Sequence, residues 1–231
     1  MNRFEAVKIF GERNCGTRVL GRLLEENLGV RCLPGTAAEL NPNAFGKIRG
    51  DEAEIDAVFE GADAAHAWKH CATYFDDVAS LDHCLTLFVV KHPLAWLASL
   101  YDRPYHQLGH RAGSIAELAA TPWKTITRDR LGRRCFKPLE LYRAKLASYF
   151  ELAPRVACEF VRFEDLVLDP EAVLRRLGHA GPFVPHELST KDDSKTATNY
   201  RAYYGEERWR ERVADVTEQP DWAQVKQFGY F

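Results

Sequence analysis

Runs of apolar residues alternate along the chain with amphipathic stretches, and this alternation predicts the order of strands and helices. Ala6–Phe10, Leu85–Lys91 and Val156–Phe163 are short apolar or β-rich runs of the kind found in buried strands. Thr17–Leu28 and Pro138–Leu152 instead repeat apolar residues at helical spacing. The alternation predicts an α/β fold with a doubly wound, mainly parallel sheet flanked by helices.

Shorter patterns predict the remaining elements. Val30–Leu33 and His66–His70 are predicted to be short strands. Pro93 is predicted to open a helix that runs to about Tyr101, because proline is favoured at the first helical position. Asp169–Leu177 is predicted to be a helix as well.

The composition is that of an ordinary globular protein. The chain has 231 residues, 31 Lys and Arg against 33 Asp and Glu, and 46% hydrophobic residues, which excludes disorder. The net charge of −2 excludes a globally basic nucleic-acid binder. We predict one domain over residues 1–231, with aromatic C-terminal helices from about residue 200 packed on the core.

Cysteine spacing and hydropathy predict the environment of the chain. The six cysteines are scattered and form no C-x-x-C pair, so neither a structural zinc site nor a redox motif is expected. No signal peptide is predicted, and the longest apolar stretch, Leu85–Val90, is far too short for a membrane span. A cytoplasmic protein with no membrane partner is therefore expected.

The loop between the first strand and the first helix has the chemistry of an anion site. Gly11–Arg18 reads GERNCGTR, a G-x-x-x-x-G outline that lacks the Lys and Ser/Thr of a nucleotide-hydrolysing P-loop. Amide groups at a helix N-terminus favour an anion, and Arg13, Thr17 and Arg18 add positive charge and a hydroxyl. The lost pair disfavours metal-dependent phosphoryl transfer. A plain strand–helix turn with solvated arginines remains the alternative.

A second strand–helix junction places a cation at the end of the central strand. Lys91 follows the apolar run, and Ser99 lies eight residues later in the predicted helix. Ligands of open α/β sheets bind outside the carboxyl ends of the strands. Lys91 and Ser99 are therefore candidates for binding a second phosphate. The alternative is a strand-end lysine that faces solvent and a serine inside a helix.

With both junctions in view, the chain resembles the PAPS-dependent sulfotransferase family. GERNCGTR resembles the 5′-phosphosulfate loop, VVKHPLAWLASLY resembles the 3′-phosphate motif, and the segment from Phe163 to Pro170 resembles a third family motif. The three matches lie in family order between residues 6 and about 177. The resemblance implies a P-loop-NTPase-like three-layer sandwich, PAPS as co-substrate and no metal. It implies cofactor binding by Arg13, Asn14, Cys15, Gly16, Thr17, Arg18, Lys91, Ser99, Phe163 and, in a late basic loop, Lys195.

The chain departs from the family pattern at four of these positions. Asn14 stands where the family usually has lysine, and Cys15 where it has serine. Lys91 replaces an arginine, which keeps the charge and loses the bidentate geometry. Phe163 replaces a tyrosine near the expected adenine, so it can pack there but cannot form a hydrogen bond.

Sulfuryl transfer needs a base near neutral pKa in addition to cations. His70 is the predicted base and Lys69 the predicted contact to the sulfuryl or bridging oxygen, since sulfotransferases often present a Lys and a His between the two phosphate motifs. Glu12 is the alternative base, because some carbohydrate sulfotransferases use a carboxylate. It also remains open that Lys69 and His70 are surface residues at a strand end.

The predicted function is transfer of a sulfuryl group from PAPS to a hydroxyl of a sugar or another small molecule, with release of 3′,5′-ADP. The predicted partner is thus a small-molecule or glycan acceptor, not nucleic acid. The basic stretch Lys124–Arg134 either lines an entrance for an anionic acceptor or is a solvated loop. Two alternatives remain, a nucleotide or small-molecule kinase and a non-catalytic nucleotide-binding regulator.

Overall fold

The structure is a computed structural model of the 231-residue chain, and it describes residues 4–43, 46, 51–104, 112–186 and 197–230. Its centre is a parallel sheet made of β1 (Ala6–Phe10), β2 (Arg31–Cys32), β3 (Cys84–Val90) and β6 (Cys158–Arg162), in the order β2-β1-β3-β6. Ala6 pairs with Cys84, and Phe88 pairs with Phe160. This confirms the predicted α/β class with a mainly parallel sheet.

Helices follow the strands and flank the sheet. Their bounds are α1 (Thr17–Leu28), α2 (Ala37–Leu40), α3 (Glu52–Ala57), α4 (Pro93–Asp102), α5 (Ile115–Ala120), α6 (Pro138–Leu152), α7 (Phe163–Leu168), α8 (Pro170–Arg176), α9 (Ala197–Gly205), α10 (Trp209–Arg212) and α11 (Ala223–Lys226). Between α5 and α6, β4 (Trp123–Lys124) and β5 (Cys135–Phe136) pair antiparallel in a separate ribbon.

Prolines mark the starts of three helices. Pro93, Pro138 and Pro170 each occupy a first helical position, where the missing N–H has no partner to lose. The N–H of Leu94 donates to Nδ1 of His92 at 3.2 Å, which caps α4. The prediction of a helix from Pro93 is thus confirmed.

The apolar residues of the sheet and helices form a continuous buried cluster. Phe88 lies at its centre, with its ring 4.9 Å from that of Phe160 and 5.2 Å from that of Tyr149. The cluster extends to Tyr204 and Trp209 in the C-terminal helices. Residues of these helices thus belong to the same buried cluster, while the single-domain organisation stays a prediction. In the described ranges, no helix has the length and apolar character needed to cross a membrane.

The segment around Trp68 differs from its prediction. His66–His70 forms a turn, so the predicted strand is wrong. The reason lies in the backbone of Lys69, whose N–H donates to Gly35 O at 3.0 Å and whose carbonyl accepts from Gly11 N at 2.9 Å. These bonds join the turn to the loops that follow β1 and β2, and they replace a strand ladder.

The strand order creates a crevice at the carboxyl ends of β1 and β3. The chain passes from β1 through α1 to β2 on one side, and β3 lies on the other side of β1. Ligands of such sheets bind where the strand order reverses. Gly11 is required here, because a Cβ at this position would lie 2.7 Å from the carbonyl oxygen of Val89.

Candidate functional site

A cavity of about 370 Å³ opens at this crevice. Its walls come from the β1–α1 loop, the end of β3, α4, the start of α7, α9 and the turn at residues 69–70. Most of the predicted site residues line it: Arg13, Asn14, Gly16, Thr17, Arg18, Lys69, His70, Lys91, Ser99 and Phe163. Residues distant in sequence thus meet at one place in the fold.

The β1–α1 loop turns sharply and presents the N-terminus of α1 to the cavity. Asn14 has φ 64° and Gly16 has φ 84°, both in the left-handed region. Gly16 precedes α1 without a side-chain cap, so the first-turn amides of the helix have no side-chain acceptor there. A Cβ on Gly16 would lie 2.6 Å from the ring of Phe163, so only glycine allows this approach. The arrangement is suited to an anion.

The main chain of the loop is fixed by its neighbours. The carbonyl of Arg13 accepts from the indole N–H of Trp96 in α4 at 2.9 Å. The carbonyl of Asn14 accepts from Nζ of Lys91 at 3.3 Å, and its side-chain amide donates to Arg103 O at 3.4 Å. The loop is therefore held against α4 before any ligand binds.

Lys91 is a buried cation, with 1% of its surface exposed. Its ammonium donates to Ser99 Oγ at 2.8 Å and to the hydroxyl of Tyr204 at 2.5 Å. It also lies 4.2 Å from the ring centroid of Phe163. Among the residues that the structure describes, no carboxylate forms an ion pair with Lys91, and burial lowers the pKa of its ammonium. A bound anion would supply the missing negative charge.

The backbone on either side of this lysine is also held in place. The hydroxyl of Tyr142 accepts from Lys91 N at 2.9 Å and donates to Lys91 O at 2.7 Å. The carboxylate of Glu164 accepts from His92 N at 2.9 Å and from the hydroxyl of Tyr230 at 2.8 Å. Glu164, from the third sequence motif, therefore orients the junction between β3 and α4.

The cavity wall has an excess of positive charge. Asp102 also lines the cavity, but Arg212 binds its carboxylate with two hydrogen bonds of 2.6 and 2.9 Å. The cationic side chains in the wall are Arg13, Arg18, Lys69, Lys91 and Arg103. Their charges outweigh a single neutralised carboxylate, so the site favours a multiply charged anion.

The turn at residues 69–70 places an imidazole beside these cations. Nδ1 of His70 lies 2.5 Å from the carbonyl oxygen of Gly11. A carbonyl only accepts, so Nδ1 carries the proton and Nε2 is the basic nitrogen of the neutral ring. Burial first, and then the charges of Lys69 and Arg13, hold the pKa of His70 well below 6.5. The ring is therefore neutral at pH 7 and available as a proton acceptor.

Two predicted residues lie outside the cavity wall, and a third is not described. Glu12 is fully buried and paired with Lys145 at 2.5 Å, so it cannot reach an acceptor in the cavity. The side chain of Cys15 is likewise buried, its N–H donates to Glu12 O at 3.1 Å, and burial raises the pKa of its thiol. Neither side chain lines the cavity, and the roles predicted for Glu12 and Cys15 stay predictions. Lys195 lies outside the described residues.

The structure adds residues that sequence reasoning missed. Tyr200 and Thr36 line the cavity, and Tyr204, whose ring stacks on that of Tyr200, binds Lys91. The spacing of Tyr200 and Tyr204, four residues apart in an aromatic segment, was the available signal for α9. Thr36 lies in a Pro- and Gly-rich stretch whose pattern predicts no element.

The described ranges hold no cluster of three or more His, Cys, Asp or Glu side chains suited to a metal ion. The sequence expectation that no metal takes part stays a prediction. Behind the turn at residues 69–70, Lys145 forms buried ion pairs with Glu12 and Asp129, and on the other side Glu39 attracts the ammonium of Lys69. The described charges in the cavity wall are thus those of an anion site.

Comparison with known proteins finds similarity in fold. No protein-family model and no curated protein matches the chain. A sulfotransferase crystal structure from Alicyclobacillus acidocaldarius has a TM-score of 0.43 and 20% identity, over 94% of this chain and 97% of that one. The sulfotransferase domain from the Synechococcus PCC 7002 olefin synthase has a TM-score of 0.41 and 14% identity, over 99% and 94%. These values are too low to assign an activity.

Proposed function

We propose that the chain is a sulfotransferase that transfers a sulfuryl group from PAPS to a hydroxyl of a sugar or another small molecule and releases 3′,5′-ADP. The observation that carries this proposal is Lys91, a buried ammonium that faces an anion-binding cavity and has no ion-paired carboxylate among the described residues. A buried charge of this kind is costly unless it is paired. A phosphate group is a fitting partner.

The residues in the cavity suit the two anionic ends of such a donor. Lys91 and Ser99 are assigned to the 3′-phosphate. The first-turn amides of α1, together with Arg13, Thr17 and Arg18, are assigned to the 5′-phosphosulfate. Phe163 offers an apolar ring beside the first of these sites. PAPS supplies an activated sulfuryl group. The protein contributes fixed donors and cations that stabilise charge on the transferring group and the leaving phosphate.

His70 is assigned as the general base. Its Nδ1–H is bound to Gly11 O, which leaves Nε2 to accept the proton of the attacking hydroxyl. Lys69 precedes it on the same turn and also lines the cavity, so it is assigned to the sulfuryl oxygens. Binding of an anionic donor offsets the repulsion from nearby cations and thereby raises the pKa of His70 toward the range useful for a base.

A ligand screen by thermal shift tests this assignment. The ligands are 3′,5′-ADP, PAPS, ATP–Mg²⁺ and GTP–Mg²⁺. A ligand at 100 times its Kd stabilises the native state by about 2.7 kcal/mol, which raises Tm by about 5–11 °C in a chain of this size. We expect this rise with 3′,5′-ADP and PAPS. Stabilisation by ATP–Mg²⁺ but not by 3′,5′-ADP would favour a kinase and contradict the proposal.

The His70→Ala variant separates binding from transfer. It removes the base and leaves Lys91, Ser99 and α1 intact, so the thermal shift with 3′,5′-ADP should persist while transfer from ³⁵S-labelled PAPS to an acceptor panel is lost. Unchanged turnover would remove His70 from the mechanism. Binding of PAPS by the wild type with no transfer to any acceptor would favour the non-catalytic regulator.

A further inference from the structure

Trp68 lies directly behind the cavity wall and contacts two residues of that wall. Its side chain is buried, with 5% of its surface exposed. The guanidinium carbon of Arg13 lies 5.1 Å from the indole centroid, within the range of a cation–π contact. The ring of His70 lies 5.2 Å away and perpendicular to the indole. One side chain thus touches both a cavity cation and the assigned base.

The indole is itself held by buried cations. Arg128 lies 4.9 Å from its centroid, and Lys145 lies 5.4 Å from it. Arg128 is only 4% exposed and binds Glu52 at 2.5 Å and Asp56 at 3.0 Å. Because both carboxylates belong to α3, this helix fixes the position of the guanidinium against the indole.

Lys145 connects the same indole to α6 and to the β1–α1 loop. Its ammonium binds Asp129 at 2.7 Å and Glu12 at 2.5 Å, and all three side chains are buried. The attraction of the two carboxylates raises the pKa of Lys145 even though its burial acts the other way. Lys145 is therefore a fixed charge beside the indole.

The backbone of Arg13 is fixed on both sides, and its guanidinium packs against Trp68. Its N–H donates to Oε1 of Glu12 at 2.6 Å, and its carbonyl accepts from Trp96. Burial lowers the pKa of the Arg13 guanidinium, and the nearby carboxylates of Glu12 and Asp129 oppose this shift. The guanidinium then rests against the indole and lines the cavity.

We propose that Trp68 is a positioning residue that sets the guanidinium of Arg13 and the imidazole of His70 at a fixed separation in the cavity. The cation assigned to the anionic donor and the base assigned to the acceptor then share one rigid support, which the ion pairs of Arg128 and Lys145 keep in place. This inference rests on the proposed function for the roles of the two residues, but the positioning itself is testable without turnover.

Three variants test the proposal. Trp68→Leu removes the indole, and Trp68→Phe keeps a smaller ring on which Arg13 can still rest. Trp222→Leu is the matched control, because Trp222 is also buried and also lies beside an arginine, Arg143 at 5.8 Å, which is not a residue of the cavity wall. All three are checked for folding by urea denaturation, so that a loss of stability is separated from a loss of positioning.

The first readout is the NMR titration of the His70 ring. The groups that face His70 are Gly11 O and the cations Lys69, Arg13 and Lys145. Removal of the indole admits water to the imidazole of His70 and lets the guanidinium of Arg13 move away from the imidazole. Both changes raise the pKa of His70. We expect the pKa to move toward 6.5 in Trp68→Leu, to move less in Trp68→Phe, and to stay low in Trp222→Leu.

The second readout is the affinity for 3′,5′-ADP by calorimetry. A desolvated cation–π contact of about 1–2 kcal/mol corresponds to a 5- to 30-fold weaker affinity in Trp68→Leu, with a smaller loss in Trp68→Phe and no change in Trp222→Leu. An unchanged His70 pKa in folded Trp68→Leu, or an equal shift in Trp222→Leu, would overturn the inference. If the wild type fails to bind 3′,5′-ADP, the proposed function fails, and the His70 titration still decides the positioning role.

Discussion

Replacement of Lys91 by methionine tests the role of the buried ammonium. Methionine has a similar reach and no charge. The variant loses the bonds to Ser99, Tyr204 and the carbonyl of Asn14. It also loses the cost of burying a cation that has no ion-paired carboxylate among the described residues. These effects oppose each other, so the free energy of unfolding should change by less than about 2 kcal/mol.

The effect on ligand binding should be much larger. A hydrogen bond from an ammonium to a phosphate is worth about 1.5–3 kcal/mol, so the affinity for 3′,5′-ADP should fall about 10- to 150-fold. Calorimetric titration measures this, with 5′-AMP as the matched ligand because it lacks the 3′-phosphate. The affinity for 5′-AMP should change little.

The control variant is Lys226→Met, which removes an exposed lysine of α11 whose only recorded pair is Asp221 at 3.5 Å in the described structure. Its affinities for both nucleotides should equal those of the wild type. The reasoning would be refuted if Lys91→Met bound 3′,5′-ADP as tightly as the wild type, or if it lost 5′-AMP and 3′,5′-ADP to the same extent.

Three further predictions concern buried charges. Burial lowers the pKa of Lys8 to about 8, so between pH 8 and 10.5 the unfolded chain holds more protons than the folded chain. The free energy of unfolding should therefore rise over this range by up to about 3 kcal/mol in the wild type, and should not rise in Lys8→Met. Because the pKa of His70 is lowered in the folded chain, the unfolded chain binds a proton below pH 6.5 that the folded chain does not bind. The free energy of unfolding should therefore fall on acidification, and it should fall less in His70→Gln. Glu12→Gln leaves Lys145 with Asp129 alone and should cost about 2–3 kcal/mol, with the affinity for 3′,5′-ADP unchanged.

Urea denaturation over a pH series measures the first two effects, and urea denaturation with calorimetry at pH 7 measures the third. Identical pH profiles for the wild type and Lys8→Met would contradict the assigned pKa of Lys8. The same holds for His70 if His70→Gln loses as much stability in acid as the wild type. A Glu12→Gln variant of full stability would show that the pair with Lys145 contributes nothing.

The elements with strong hydrophobic patterns were predictable from the sequence. Pro138–Leu152 is a helix over the bounds that its pattern predicts, and the apolar run before Lys91 is the central strand. The helix is long enough for its period to be unambiguous and starts at a proline, and the strand is an unbroken apolar run of the kind found at the centre of a parallel sheet. Lys91, at the end of the strand, and Ser99, in the helix that follows, also meet.

The turn at residues 66–70 was not predictable from alternation. An alternating pattern places Lys69 and His70 on opposite faces, whereas the turn lets both line the cavity. What decides the conformation is the pairing of Lys69 with Gly35 and Gly11, which are 34 and 58 residues away. A local pattern contains no information about such partners.

The contacts of the motif residues also could not be predicted from the sequence. Glu12 sits in the phosphate loop and looks available as a base, but its partner Lys145 comes from α6, far along the chain. Nothing in the sequence distinguishes Trp68 from an ordinary core residue. Its contacts with Arg13 and His70 follow from the packing of the loop, the turn and α3.

A crystal structure of the complex with 3′,5′-ADP tests the central claim most directly. The account predicts the 3′-phosphate within hydrogen-bonding distance of Lys91 Nζ and Ser99 Oγ, and the 5′-phosphate at the N-terminus of α1 beside Thr17. Nucleotide bound elsewhere, or bound in the cavity with its 3′-phosphate away from Lys91, would contradict it.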